Sequence, residues 1–153
     1  MLVIELRQSA YAALLCHTVE EKLAKIFVLS TALQSNQYQL DAVFQLPAFD
    51  CPGRPLKPIL VLPREVPRRS LNTVEGRAAL LHAIAHIEFN AINLACDAMQ
   101  RFPNMPEQYY LEWASVAIDE ARHFQLLQTR LKELGFQYGD FKAHNGLWEM
   151  AEK

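Results

Sequence analysis

The chain has 153 residues, 51% of them apolar and 21% charged, with a formal net charge of −2. That is enough chain for one domain with a sizeable core, and the near-neutral balance argues against a partner chosen by charge, such as nucleic acid. Its three cysteines (Cys16, Cys51, Cys96) are odd in number and share no metal-ligand spacing, which predicts reduced thiols and not a disulfide framework.

The amino terminus carries charges (Glu5, Arg7) where a signal peptide needs an uninterrupted apolar run, and no later stretch approaches eighteen apolar residues. The expectation is a soluble cytoplasmic protein with no membrane contact. Residues 1–35 read as two helices. Thr18-Val-Glu-Glu21 matches a capping box, so the second starts there and runs to about Leu33. Residues 36–72 form a proline-rich arm holding six of the eight prolines (Pro47, Pro52, Pro55, Pro58, Pro63, Pro67), which excludes a helix. Arg54, Lys57, Arg64, Arg68 and Arg69 make the arm basic. A solvated loop and a contact for an anion, including an RNA backbone, are both compatible with that composition.

Residues 73–135 read as a helix hairpin. Thr73 is positioned as an N-cap with Glu75 in the first turn, where the helix dipole favours negative charge. Leu81, Ala85, Glu88, Ile92, Ala95 and Met99 recur at alternating spacings of four and three, a buried stripe of the bundle type. The second helix opens near Pro106 and ends before Gly135. Its stripe is Trp113, Ala117, Glu120, Phe124, Leu127, Leu131 and Leu134, so each stripe carries a single glutamate. Residues 136–153 read as an aromatic loop followed by the start of a further helix from Asn145.

Between the hairpin helices lies Phe102-Pro103-Asn104-Met105-Pro106, and Asn104 is sixteen residues from both Glu88 and Glu120. Equal separation from the turn of an antiparallel hairpin predicts that the two carboxylates stand at one height. His123 follows Glu120 by three residues and falls on the same helix face. Two carboxylates meeting in an apolar seam need compensation, and neither stripe offers a lysine or arginine. A metal cation provides it: carboxylate and imidazole together suit iron, with manganese as the alternative. Bundle proteins with two metals use a glutamate from each of two helices and a Glu-x-x-His from each of the other two. Glu88 with Glu120 and His123 is one half of that set. His82 and His86 are candidates for a core role or for hydrogen bonds that orient the ligands, and Asp119 and the neighbouring Arg122 for surface contacts or the same orienting role. His82 and His86 do not match the zinc-protease pattern, because Ala83 stands where that pattern needs glutamate. No phosphate-binding glycine loop or nucleophile motif is present in the sequence.

Several strings support a resemblance. They include Arg64-Glu-Val-Pro-Arg-Arg-Ser70, Glu75 through Glu88, Arg101-Phe-Pro-Asn-Met-Pro106, Asp119-Glu-Ala-Arg-His123, Tyr138-Gly-Asp-Phe and Gly146-Leu-Trp-Glu-Met150. On about two thirds of its length the chain resembles a bacterial family of ferritin-like proteins of unassigned function, and more distantly the di-iron tRNA hydroxylases and rubrerythrins. The resemblance implies an all-α, ferritin-like helical bundle with Glu88, Glu120 and His123 as metal ligands and di-iron, oxygen-dependent redox chemistry. Members of that family are longer, with the second helix pair and the remaining ligands beyond the Trp148 region. The chain therefore reads as a half bundle: the amino-terminal portion of such a protein, or a short form that completes the bundle as a homodimer. A non-catalytic helical scaffold is the competing expectation.

Overall fold

The computed structural model describes residues 3–152. The protein is all-α apart from one short parallel strand pair. Its elements are β1 (Ile4–Glu5), α1 (Leu6–Leu15), α2 (Val19–Gln34), β2 (Tyr38–Gln39), α3 (Val74–Arg101), α4 (Glu107–Glu133) and α5 (Gly146–Glu152). A single 3-10 turn, Pro63–Glu65, interrupts the proline-rich arm. The two amino-terminal helices, the hairpin and the short final helix are all present, and α2, α3 and α4 stand where their capping and stop signals place them. Thr18 Oγ1 accepts the Glu21 N–H (3.1 Å) at the start of α2, and Thr73 Oγ1 accepts the Gly76 N–H (2.9 Å) at the start of α3. At the other end of α4, Gly135 adopts φ +87° and the Phe136 N–H returns to the Leu131 carbonyl, a glycine-terminated stop. The β1–β2 pair, which aligns Ile4 with Tyr38 and Glu5 with Gln39, carries no sequence signal at two residues per strand.

The chain divides into two compact units, Met1–Pro55 with Ile92–Ala121, and Leu56–Ala91 with Arg122–Lys153. The divisions fall inside α3 and α4, which are continuous helices.

In the first unit the core is built from Leu6, Ala10 and Leu14 of α1, Leu23, Ile26 and Leu29 of α2, and Ile92, Met99 and Tyr110 of the hairpin helices. Two cations lie inside it. Arg7 is fully buried and has no carboxylate partner among its described contacts. Its guanidinium donates to the carbonyls of Met99 (3.0 Å), Gln100 (2.6 Å), Asp41 (3.2 Å) and Phe44 (2.5 Å). The planar fork also lies 5.1 Å from the Phe44 ring centroid and 5.8 Å from that of Tyr110. Because Met99 and Gln100 end α3, whose last carbonyls lack helical partners, Arg7 acts as a side-chain cap placed there by another helix. Lys22 does the same for α1: Nζ reaches the carbonyls of Ala13 and Leu14 (3.0 Å each) and Asn93 Oδ1 (2.7 Å). Burial pushes the Lys22 ammonium down to about 8.

The arm begins against this unit. Gly53 N–H donates to the Leu14 carbonyl (2.9 Å), and a Cβ at Gly53 would stand 2.2 Å from the Leu15 carbonyl oxygen. Gly53→Ala must therefore push the arm off the end of α1, losing a buried hydrogen bond and the packing of Pro52. The expected cost is about 3 kcal/mol, read as a lower urea midpoint with an unchanged slope.

In the second unit Ala78, Leu131 and Phe141 form a buried cluster against which Ala79, Leu81, Leu134 and Phe136 pack. The later part of the arm lies along the 136–144 loop. Val61 N–H donates to the Ala143 carbonyl (2.8 Å) and Ala143 N–H to that of Ile59 (3.0 Å). Arg69 stacks on Phe141 (5.0 Å) and pairs with Glu75 (3.5 Å), so this one of the arm's five cations is already engaged within the fold. In α5 Trp148 is buried, and its indole N–H donates to Glu152. The cysteines are free thiols, Cys16 and Cys96 buried and Cys51 exposed. By length and mean hydropathy alone, α3 is the one described helix that could cross a membrane. Half of that window is buried within the fold, as in the core helix of a globular protein.

A candidate metal centre on the helix hairpin

Most apolar stripe residues of α3 and α4 are buried as their spacing predicts, while Leu81, Trp113, Leu127 and Leu134 are only partly buried. Ala85, Ile92, Ala95 and Met99 on α3, with Ala117, Phe124 and Leu131 on α4, are fully buried. Glu88 and Glu120 are half-buried within the same stripes, while His123 is exposed. The turn that sets the register is present as expected, with Asn104 in the left-handed region (φ +62°) and its N–H donating to the Ala42 carbonyl. In the folded chain one ligand atom from each of Glu88, Glu120 and His123 lies within 4.8 Å of the other two, and no metal is included in the structure.

Glu88 is the residue least at ease. Its Oε2 is buried and accepts no hydrogen bond; His123 Nδ1, at 3.7 Å, is within ion-pair range but beyond hydrogen-bond reach. An orphaned carboxylate oxygen costs about 1–3 kcal/mol, and more when charged. A cation bound between these three side chains would remove that cost, and two carboxylates with one imidazole form a donor set suited to iron or manganese. The residues present thus fit such a metal. The His123 side chain, 54% exposed, leaves one side of the cluster open. Phe89 and Phe124, which directly follow Glu88 and His123 in sequence, are buried with their ring centroids 6.2 Å apart.

Asp119 and Arg122 are exposed on α4. His82 and His86 are buried and hydrogen-bond to the 136–144 loop, the core role that the sequence offers beside that of orienting the ligands. The reason is helical phase: at two and six residues before Glu88 they fall on a different face of α3. His82 Nε2 accepts the Gly139 N–H (2.9 Å). His86 Nε2 is 2.8 Å from the His144 carbonyl oxygen and Nδ1 is 2.8 Å from the Tyr138 hydroxyl. Tyr138 stands among His82, His86, Phe89 and Phe124, with centroid distances from 5.0 to 6.2 Å. Sequence reasoning recognised the loop as aromatic but gave Tyr138 no role, since its hydrogen-bond partner His86 lies 52 residues away.

Burial, and secondarily the neighbouring His86, push the His82 imidazole down to about 4. Nε2 must stay unprotonated to accept from Gly139, so the folded state resists a proton that the unfolded chain takes up near 6.5. This stabilisation is complete above pH 6.5 and is lost as the pH falls from 6.5 to about 4. Urea midpoints should fall across that window, and His82→Gln should show a shallower fall than the wild type; parallel curves would contradict the assignment.

Residues 15–153 match a family described as "Protein of unknown function (DUF455)". The chain is also similar to an "Uncharacterized protein" of Haemophilus influenzae (strain ATCC 51907 / DSM 11121 / KW20 / Rd), 54% identical over 105 residues. That alignment covers 64% of this chain and 36% of the relative, so the chain spans about a third of the length of the curated relative it matches. No solved structure matches the chain.

Proposed function

The chain belongs to the family of proteins of unknown function whose description it matches over residues 15–153, and we propose that it is a ferritin-like metal-binding protein for oxygen-dependent redox chemistry. Glu88, Glu120 and His123 are its metal ligands, and iron is the preferred metal. The observation that carries this reading is the orphaned, buried Glu88 oxygen inside a cluster of three ligand atoms. In this reading the two carboxylates neutralise and bind the cation from two helices, and His123 supplies the neutral donor. When bound, the metal supplies one-electron chemistry toward dioxygen. The exposed side beside His123 admits a reactant or further ligands.

A second reading has its own support. Among the described residues there is a single such ligand group, which is half of what a two-metal bundle uses. In that reading the chain alone is a scaffold, and the complete centre needs ligands from a second copy or from a longer polypeptide. Oxygen uptake after anaerobic loading with ferrous iron, run beside light scattering for mass, separates the two. Uptake that disappears in His123→Ala supports the redox centre. Iron-loaded protein without uptake supports the scaffold.

A further inference from the structure

We propose that Tyr138 is a redox-active tyrosine with His86 as its built-in proton acceptor. The tyrosine–histidine chemistry does not depend on the metal reading above.

The hydrogen-bond geometry fixes the direction of the pair. The His144 carbonyl can only accept, so His86 Nε2, 2.8 Å away, carries the hydrogen. In the neutral imidazole Nδ1 is then bare, and the Tyr138 hydroxyl, 2.8 Å from it, is the donor. A phenol loses an electron at neutral pH only if its proton leaves with it, and here the base is already in place. The step balances. A one-electron oxidant takes an electron from the phenol and is reduced by one. The Tyr138 O–H bond breaks and the proton forms an N–H bond at His86 Nδ1. The products are a neutral phenoxyl radical and an imidazolium whose second N–H is still held by the His144 carbonyl. A one-electron donor reverses the step, and the proton returns to the oxygen.

The other tyrosines lack this arrangement. Tyr11, Tyr109 and Tyr110 donate to the backbone carbonyls of Pro47, Ala98 and Phe102, which cannot take a proton. Tyr38 donates to the Glu107 carboxylate, a weaker base than imidazole.

The test uses the metal-free chain with photogenerated tris(bipyridine)ruthenium(III) as the one-electron oxidant, read by freeze-quench electron paramagnetic resonance. The wild type should give a neutral tyrosyl radical that Tyr138→Phe largely removes. His86→Gln should slow its formation by roughly 100-fold, the low end of what a positioned base contributes. If His86→Gln fails to fold, electron–nuclear double resonance on wild type labelled with ¹⁵N-histidine decides, because the phenoxyl oxygen should couple to an exchangeable imidazole proton. An unchanged radical in Tyr138→Phe, wild-type kinetics in His86→Gln, or no imidazole coupling would each overturn the proposal. As no metal is present, these outcomes are independent of whether the cluster binds iron.

Discussion

Glu88→Leu is expected to abolish metal binding and, in the same protein, to stabilise the metal-free chain by about 1–2 kcal/mol. The two effects have one cause. Glu88 stands in an apolar stripe between the buried Ala85 and Ile92, with an oxygen that accepts no hydrogen bond. Without a cation this group costs stability; with one it is a ligand. Leucine matches the stripe chemically and removes the unpaired oxygen, while His123 is exposed enough to be solvated alone. Denaturant midpoints on metal-free protein and metal content on loaded protein measure the two halves. A Glu88→Leu chain that is less stable when metal-free would show that the carboxylate has a structural partner and would remove the argument for a ligand site.

Arg7→Met should be the most damaging single substitution outside the stripes, with an expected loss of about 3 kcal/mol. Methionine keeps much of the aliphatic stem but leaves the carbonyls of Met99, Gln100, Asp41 and Phe44 without their donor. Recovering the cost of burying a guanidinium offsets part of this, which is why the loss is less than four separate hydrogen bonds would suggest. Arg7→Lys should restore only a fraction, because a single ammonium cannot span carbonyls on the end of α3 and on the 41–44 segment. Urea midpoints for both variants check this; a loss below about 1 kcal/mol in Arg7→Met would mean that water replaces the guanidinium without penalty.

Features set by local chemistry could be read from the sequence. Thr18 and Thr73 cap the helices they were expected to cap, and Gly135 stops α4. The equal spacing of Glu88 and Glu120 from Asn104 anticipated their meeting across the hairpin. Features set by long-range contacts could not. Arg7 looks like an ordinary polar residue in a helix, and its acceptors lie up to 93 residues away. The two histidines of α3 look like candidates to orient a metal ligand only until the 136–144 loop packs against them and takes their ring nitrogens. The arm was legible as non-helical from its prolines, but Gly53 against Leu14, and Val61 against Ala143, depend on packing that no local pattern encodes.

The most direct measurement is metal content after anaerobic loading with ferrous iron and removal of excess, on wild type and Glu120→Ala in parallel, with circular dichroism on both. Stoichiometric iron in the wild type, lost in Glu120→Ala at unchanged helicity, is the predicted result. Equal iron in the two proteins, or none in a folded and monodisperse wild type, would contradict the metal centre.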